Sequence, residues 1–192
     1  MTNKTKKLAV FASGNGSNAE AIFEYFKHNA DIEVSLLLSN KTDAFVIQRA
    51  QLHGIPVEVV TRDQFYHSDK VVALLKRKAI DLVVLAGFLW LLPGSLVKAY
   101  GGKIINLHPA LLPKFGGKGM FGIHVHQAVL NAGEKETGIT IHYVNENYDE
   151  GKIILQERCK IERDDKPEDI AKKVQQLEHR YYPKVIADIF RK

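Results

Sequence analysis

Residues 8–26, Leu8-Ala-Val-Phe-Ala-Ser-Gly-Asn-Gly-Ser-Asn-Ala-Glu-Ala-Ile-Phe-Glu-Tyr-Phe26, decide the fold. The run Leu8 to Ala12 is apolar throughout and halts at Ser13-Gly14, the pattern of a strand covered on both faces. Behind the glycines, Ala19, Ile22, Phe23 and Phe26 recur at i, i+3, i+4 and i+7, one face of a helix. Strand, glycine loop and helix together are the opening unit of an open α/β sheet.

Outward from this unit the alternation continues. Residues 33–39 (EVSLLLS) read as a second strand, and 44–53 as a helix ended by Gly54 with Pro56 beyond it. Residues 57–61 form a weak third strand, and 68–78 a third helix. Residues 81–86 (DLVVLA) carry the strongest strand signal; a short helix near 94–100 and a strand at 103–107 follow. The character then changes. Residues 111–122 hold one proline and four glycines and read as a loop, followed by a helix at 124–131. Strands at 138–144 and 152–157 flank a polar turn. Pro167 sits at a plausible first helical position, and Ile170, Val174, Leu177 and Tyr181 mark the buried stripe of a long final helix. The expected fold is α/β: a Rossmann-like open sheet, mostly parallel with helices on both faces, a C-terminal strand pair and a long terminal helix. With no repeat and no linker, residues 1–192 are expected to form a single domain.

Composition narrows the function. One cysteine, Cys159, excludes an internal disulfide and suits a reducing compartment. The apolar run behind the basic Met1–Lys7 is too short for a secretion signal, and nothing approaches a membrane span, so a cytoplasmic protein without membrane contact is expected. The net charge of +5 is scattered rather than massed, which fits small anionic ligands and argues against nucleic acid.

The loop Ser13-Gly-Asn-Gly-Ser-Asn18 lies before a helix start, where free N–H groups and the positive dipole end receive an anion. A tight turn without ligand is the bland alternative. With Ala19 the loop also fits a dinucleotide fingerprint, but strand two ends in Leu38-Ser-Asn-Lys41 without the required carboxylate, so a phosphate monoester is favoured. Asn106-Leu-His-Pro109 falls at a strand's carboxyl end. Residues two apart share a side there, so Asn106 and His108 can converge on one site, an amide donor beside a titratable imidazole. A histidine that merely caps the strand fits the same spacing. His124 and His126 have a spacing used at metal sites, yet no third ligand is evident, and no metal is expected. Asp149 lies in a turn where acids are common anyway.

Several of these segments together resemble one family, the folate-dependent phosphoribosylglycinamide formyltransferases of purine synthesis. They are residues 13–18, Ser39-Asn-Lys41, Leu85-Ala-Gly-Phe88, 106–114 (NLHPALLPK), 138–144, Asp149 to Gly151 and Leu177-Glu-His179, in family order across nearly the whole chain. The resemblance implies an N-terminal phosphate-binding half, about 1–100, and a C-terminal catalytic and folate-binding half, about 101–192. It implies that Gly16, Ser17 and Asn18 hold the 5′-phosphate of glycinamide ribonucleotide and that Glu178 binds its ribose. It implies a folate cleft along Leu89, Trp90, Leu91 and Leu92, with Asn106 also touching the folate. Catalysis would rest on Asn106 and His108 at the formyl oxygen, with Asp149 raising the His108 pKa. The cosubstrate would be 10-formyltetrahydrofolate, the partners these two small molecules, and the assembly a monomer or homodimer. Trp90 stands where the family commonly has an arginine, residues 115–123 are longer than the usual loop, and Arg62 is a candidate for a basic folate contact. Formyltetrahydrofolate hydrolases and a non-catalytic nucleotide-binding protein on the same fold are the competing readings. The hydrolases, like the related tRNA formyltransferases, carry an additional domain for which this chain length leaves no expected room.

Overall fold

A computed structural model describes residues 4–191; Met1, Thr2 and Asn3 of the basic opening segment, and Lys192, lie outside the described residues. Seven strands form one sheet: β1 (Lys6–Phe11), β2 (Ile32–Ser39), β3 (Val57–Val59), β4 (Leu82–Leu85), β5 (Ile104–His108), β6 (Glu136–Tyr143) and β7 (Ile153–Lys160). Their order is β3-β2-β1-β4-β5-β6-β7. β1 to β5 run parallel, β6 joins β5 antiparallel, and β7 closes the edge as the antiparallel partner of β6. The chain runs outward from β1 and then returns to β4 on its other side. That reversal opens a crevice at the carboxyl ends of β1 and β4, where such sheets bind ligands.

Helices α1 (Ser17–Phe26), α2 (Val46–Leu52), α6 (Ile123–Asn131) and α7 (Pro167–Arg191) are joined by α3 (Arg62–Tyr66), α4 (Lys70–Arg77) and α5 (Gly94–Ala99). Alternation along β1 sorts the core into two layers. Leu8, Val10 and Ala12 pack with Ile22, Phe23 and Phe26 of α1 and Ile170, Val174 and Tyr182 of α7. Ala9 and Phe11 pack on the other face with Phe65, Leu74, Leu75 and Leu96 of α3, α4 and α5. Both faces of the central strands are therefore dry, which is why they read as unbroken apolar runs.

The expected helix at 68–78 is shorter and is preceded by a separate helical turn. Thr61, expected to end the third strand, is instead the N-cap of α3: its hydroxyl accepts from Gln64 N and its own N–H bonds the Gln64 side chain, a capping box. Ser68 Oγ then donates to Gln64 O, and α4 starts only at Lys70. The last strand runs three residues further than expected, to Lys160.

Helix α7 ties the sheet to the crevice. Tyr182 is fully buried, and its hydroxyl donates to the Leu85 carbonyl at 2.9 Å and the Ile105 carbonyl at 3.3 Å, on the two strands that end at the site. Tyr182→Phe removes this buried donor from both carbonyls, which keep their places in the β4–β5 ladder. It should cost about 0.5–1.5 kcal/mol in a urea unfolding titration; an unchanged midpoint would show that the hydroxyl bonds contribute nothing.

Candidate active site

The crevice is a cleft of about 770 Å³. Its wall includes Gly14, Asn18, Leu89, Trp90, Leu91, Leu92, Asn106, His108, Asp149 and Glu178, so most of the residues singled out in the sequence meet here although they lie far apart in the chain. Gly16 and Ser17 are not among the wall residues.

Asn106 and His108 stand on β5 facing the same way, as strand geometry requires. The antiparallel register sets Asn106 opposite His142 and His108 opposite Thr140. Asn106 Nδ2 donates to His142 Nε2 at 3.1 Å and more weakly to Asp149 Oδ1 at 3.4 Å. His142 Nδ1–H donates to the Tyr143 carbonyl, leaving Nε2 as the acceptor. His142 is a member of the site that sequence reasoning missed. The signal was its place in a strand pairing with Asn106, visible only once the register is known.

Asp149 comes from the turn between β6 and β7. Its backbone has φ 55°, a left-handed conformation that aspartate tolerates better than most residues. Gly151 completes the turn, since a Cβ there would stand 1.5 Å from the Tyr143 carbonyl oxygen. The Asp149 carboxylate accepts from Gly117 N at 2.9 Å and lies 3.5 Å from His108 Nδ1 and 3.6 Å from His142 Nε2. Burial alone would raise its pKa. Hydrogen bonding from a protonated His142, the charge of a protonated His108 and the Gly117 N–H outweigh that and hold the carboxyl below its ordinary value.

His108 is 3% exposed, and its Nε2–H donates to the Phe115 carbonyl at 2.8 Å. The neutral ring thus turns its bare Nδ1 toward Asp149, and protonation would place a new N–H against the carboxylate. Asp149 and the Phe115 carbonyl both favour that cation, yet burial disfavours it more, and His142 adds to burial, so the His108 pKa sits below its ordinary value. This corrects the expectation of a raised value: the carboxylate acts in the expected direction, and desolvation exceeds it.

At the glycine loop, Gly16 adopts φ 77° as the N-cap of α1, and a Cβ there would meet Val46 Cγ2 at 2.3 Å. Packing against α2 therefore demands glycine at this position irrespective of any ligand. Helix α7 laces the loop from its other side: Gln175 Nε2 donates to Ser17 Oγ at 3.1 Å, and Asn18 Nδ2 to Glu178 Oε2 at 2.8 Å. Asn18 Oδ1 is buried without a partner. Burial pushes the Glu178 carboxyl above its ordinary pKa, with the Asn18 bond partly opposing it.

Residues 89–92 also line the cleft. Leu89 N–H is bound by Ser13 Oγ at 2.9 Å and the Leu91 carbonyl by the Tyr66 hydroxyl at 3.0 Å, so these two backbone groups already have partners. Trp90 packs among Phe65, Tyr66 and Phe88 with ring centroids 5.3–6.2 Å away, and the Arg62 guanidinium lies 5.9 Å over its ring. The glycine-rich segment Gly117 to Gly122 lines the cleft as well, with Phe121 half exposed at its rim. His124 is exposed while His126 is buried, because residues two apart on a helix face away from each other; they do not form a chelating pair.

The opposing influences on His108 can be separated. In a histidine NMR titration the wild-type ring should protonate below the ordinary value of about 6.5. It should be mostly neutral at pH 7 and gain its proton only as the pH falls. Asp149→Asn removes the favouring charge and should move that midpoint lower still. A midpoint that stays put or rises would show that His108 does not sense the carboxylate.

The model of the formyl transferase family matches residues 6–186. The phosphoribosylglycinamide formyltransferase of Bacillus subtilis is 41% identical over 96% of this chain and 94% of its own. The chloroplastic enzyme of Arabidopsis thaliana is 44% identical over 97% of this chain, which spans 66% of that longer protein. Among solved structures, phosphoribosylglycinamide formyltransferase from Bacillus halodurans superposes with a TM-score of 0.87 at 42% identity, covering 97% of this chain and 96% of that one. Shared identity at this level across the full sheet, cleft and terminal helix leaves one assignment: the chain belongs to the formyl transferase family, among its phosphoribosylglycinamide formyltransferases.

Proposed function

We propose that this chain transfers the formyl group of 10-formyltetrahydrofolate to the amine of 5′-phosphoribosylglycinamide, yielding the N-formyl product and tetrahydrofolate. The observation that carries the reading is the convergence of Asn106, His108 and Asp149 in a cleft whose wall also takes in Gly14 and Asn18 of the glycine loop, Glu178 and residues 89–92. That layout suits a phosphorylated sugar and a flat apolar donor meeting at one carbon. In this reading Ser17 and Asn18, with the loop shaped by Gly16, receive the phosphate and Glu178 the ribose. Leu89, Trp90, Leu91 and Leu92 line the folate pocket, with Asn106 at its reacting end. The whole described fold works as one domain, with the phosphate half near 1–100 and the catalytic half beyond it.

The chemistry follows from the charges. The amine nitrogen attacks the formyl carbon, the carbonyl electrons move to oxygen, and a tetrahedral oxyanion forms. Collapse breaks the bond to the folate nitrogen; the amine loses one proton and the folate nitrogen gains one. An oxyanion needs donors already in place. One Asn106 amide proton is anchored on His142, and the other, held only weakly by Asp149, is the one available to the formyl oxygen. The Phe115 carbonyl oxygen stands at His108 Nε2 where a substrate oxygen would stand, and is the group the substrate displaces. As the oxyanion develops, its charge and that of Asp149 both favour imidazolium, which offsets the burial that keeps the resting ring neutral.

Absorbance of the folate distinguishes the readings. Tetrahydrofolate should accumulate from 10-formyltetrahydrofolate only when the ribonucleotide is present, with one formyl-ribonucleotide per turnover. Release without the ribonucleotide would favour a hydrolase, and saturable binding of both ligands with no turnover a nucleotide-binding protein.

Among the described residues no helix is long and apolar enough to cross a membrane.

A further inference from the structure

Arg49 belongs to α2, is not a wall residue of the cleft, and has no part in the chemistry above. Its guanidinium is nonetheless committed on every side. Nε donates to the Asn15 carbonyl at 2.9 Å and Nη2 to Asn15 Oδ1 at 3.1 Å, a two-pronged grip on one residue of the glycine loop. Nη1 lies 3.3 Å from Glu20 Oε2, and the group stacks over the Phe45 ring at 4.9 Å from its centroid. Glu20 in turn meets His53 Nε2 at 2.9 Å. Glu20, Glu24 and His53 are near enough together to hold a cation, but Arg49 already supplies positive charge to Glu20, and no metal is assigned there.

The grip has two neighbours. The Gly14 carbonyl accepts from Val46 N at 3.1 Å, and Gly16 packs directly on the Val46 side chain. Three consecutive loop residues, Gly14, Asn15 and Gly16, are thus each held by α2, and Arg49 supplies the only side-chain hydrogen bonds in that set. Asn15 is itself exposed, and Arg49 Nε is the donor that fixes its carbonyl direction. The loop presents N–H groups to an anion only while its peptide planes keep one orientation. A planar fork fixes such a plane; a lysine, a mobile point charge, does not.

We infer that Arg49 is a positioning residue that holds the Gly14–Gly16 loop in its anion-receiving shape from outside the cleft, and so sets how strongly the protein prefers a phosphorylated substrate over its dephosphorylated counterpart. The inference rests on the function proposed above. It is tested by steady-state kinetics of Arg49→Lys and Arg49→Met with glycinamide ribonucleotide and with the corresponding riboside. Both variants should raise the ribonucleotide KM on the order of 10-fold, with kcat and the folate KM within about 2-fold and the riboside KM unmoved. Phosphate preference then falls while the chemical step persists. Recovery of the wild-type KM by Arg49→Lys would overturn the inference, because charge alone would then suffice. Equal loss for ribonucleotide and riboside would overturn it too, since that is what general loosening of the fold produces. Asn15→Ala removes one prong at an exposed position and guards against an Arg49 variant that fails to fold. It should lower phosphate preference less than Arg49→Met, and combining the two should add little to Arg49→Met alone; an unchanged preference in Asn15→Ala would overturn the inference by itself. Wild-type protein that turns over neither substrate would instead refute the proposed function.

Discussion

A partly buried carboxylate beside two imidazoles is the constraint around which this site is organised. Asp149 lies within 3.6 Å of ring nitrogens of both His108 and His142, and Gly117 N–H closes its remaining side. Burial alone would raise its pKa; with these partners it is held below its ordinary value and is the fixed negative charge of the cleft. The arrangement depends on backbone geometry at three places. β5 must pair with β6 in a register that sets Asn106 against His142. The turn after β6 must accept a positive φ at Asp149 and the close approach at Gly151. The segment after β5 must bring the Phe115 carbonyl and Gly117 N–H back over the strand end.

The antiparallel β6 explains how a fold of nucleotide-binding type acquires this chemistry. In the parallel part of the sheet, strand ends offer loops and helix starts, which suit anions. Adding a strand in the opposite direction brings His142 alongside the end of β5, and its outgoing turn delivers an acid to the same spot. Helix α7 then spans both regions. Gln175 and Glu178 reach the glycine loop, while Tyr182, further along the helix, holds the β4 and β5 carbonyls under the catalytic residues. Ser13 adds a third link by binding Leu89 N–H across the crevice.

The parallel layers were legible because both faces of β1, β2 and β4 are dry, which leaves uninterrupted apolar runs, and because the α1 stripe has a strict helical period. The Asn106–His108 pair was legible for the same reason: a period of two fixes which side chains share a side. Other features were not. His142 sits in an apolar-looking strand and becomes part of the site only through register. Arg49 looks like any surface arginine of a short helix, and its grip on Asn15 joins residues 34 positions apart. The α3 turn was hidden because Thr61 continues a β-like run while its capping partner is Gln64. The direction of the His108 shift depended on how deeply the ring is buried, and no spacing in the chain reports that.

If Asn106 and His108 hold the developing oxyanion, their removal must damage the transition state far more than the bound ground state. The direct measurement is kcat against KM for Asn106→Ala and His108→Ala in ribonucleotide-dependent formyl transfer. The account predicts kcat losses on the order of 100- to 1,000-fold for each, with both substrate KM values within a few-fold of wild type. Near-normal kcat in either variant, or a loss confined to KM, would contradict it.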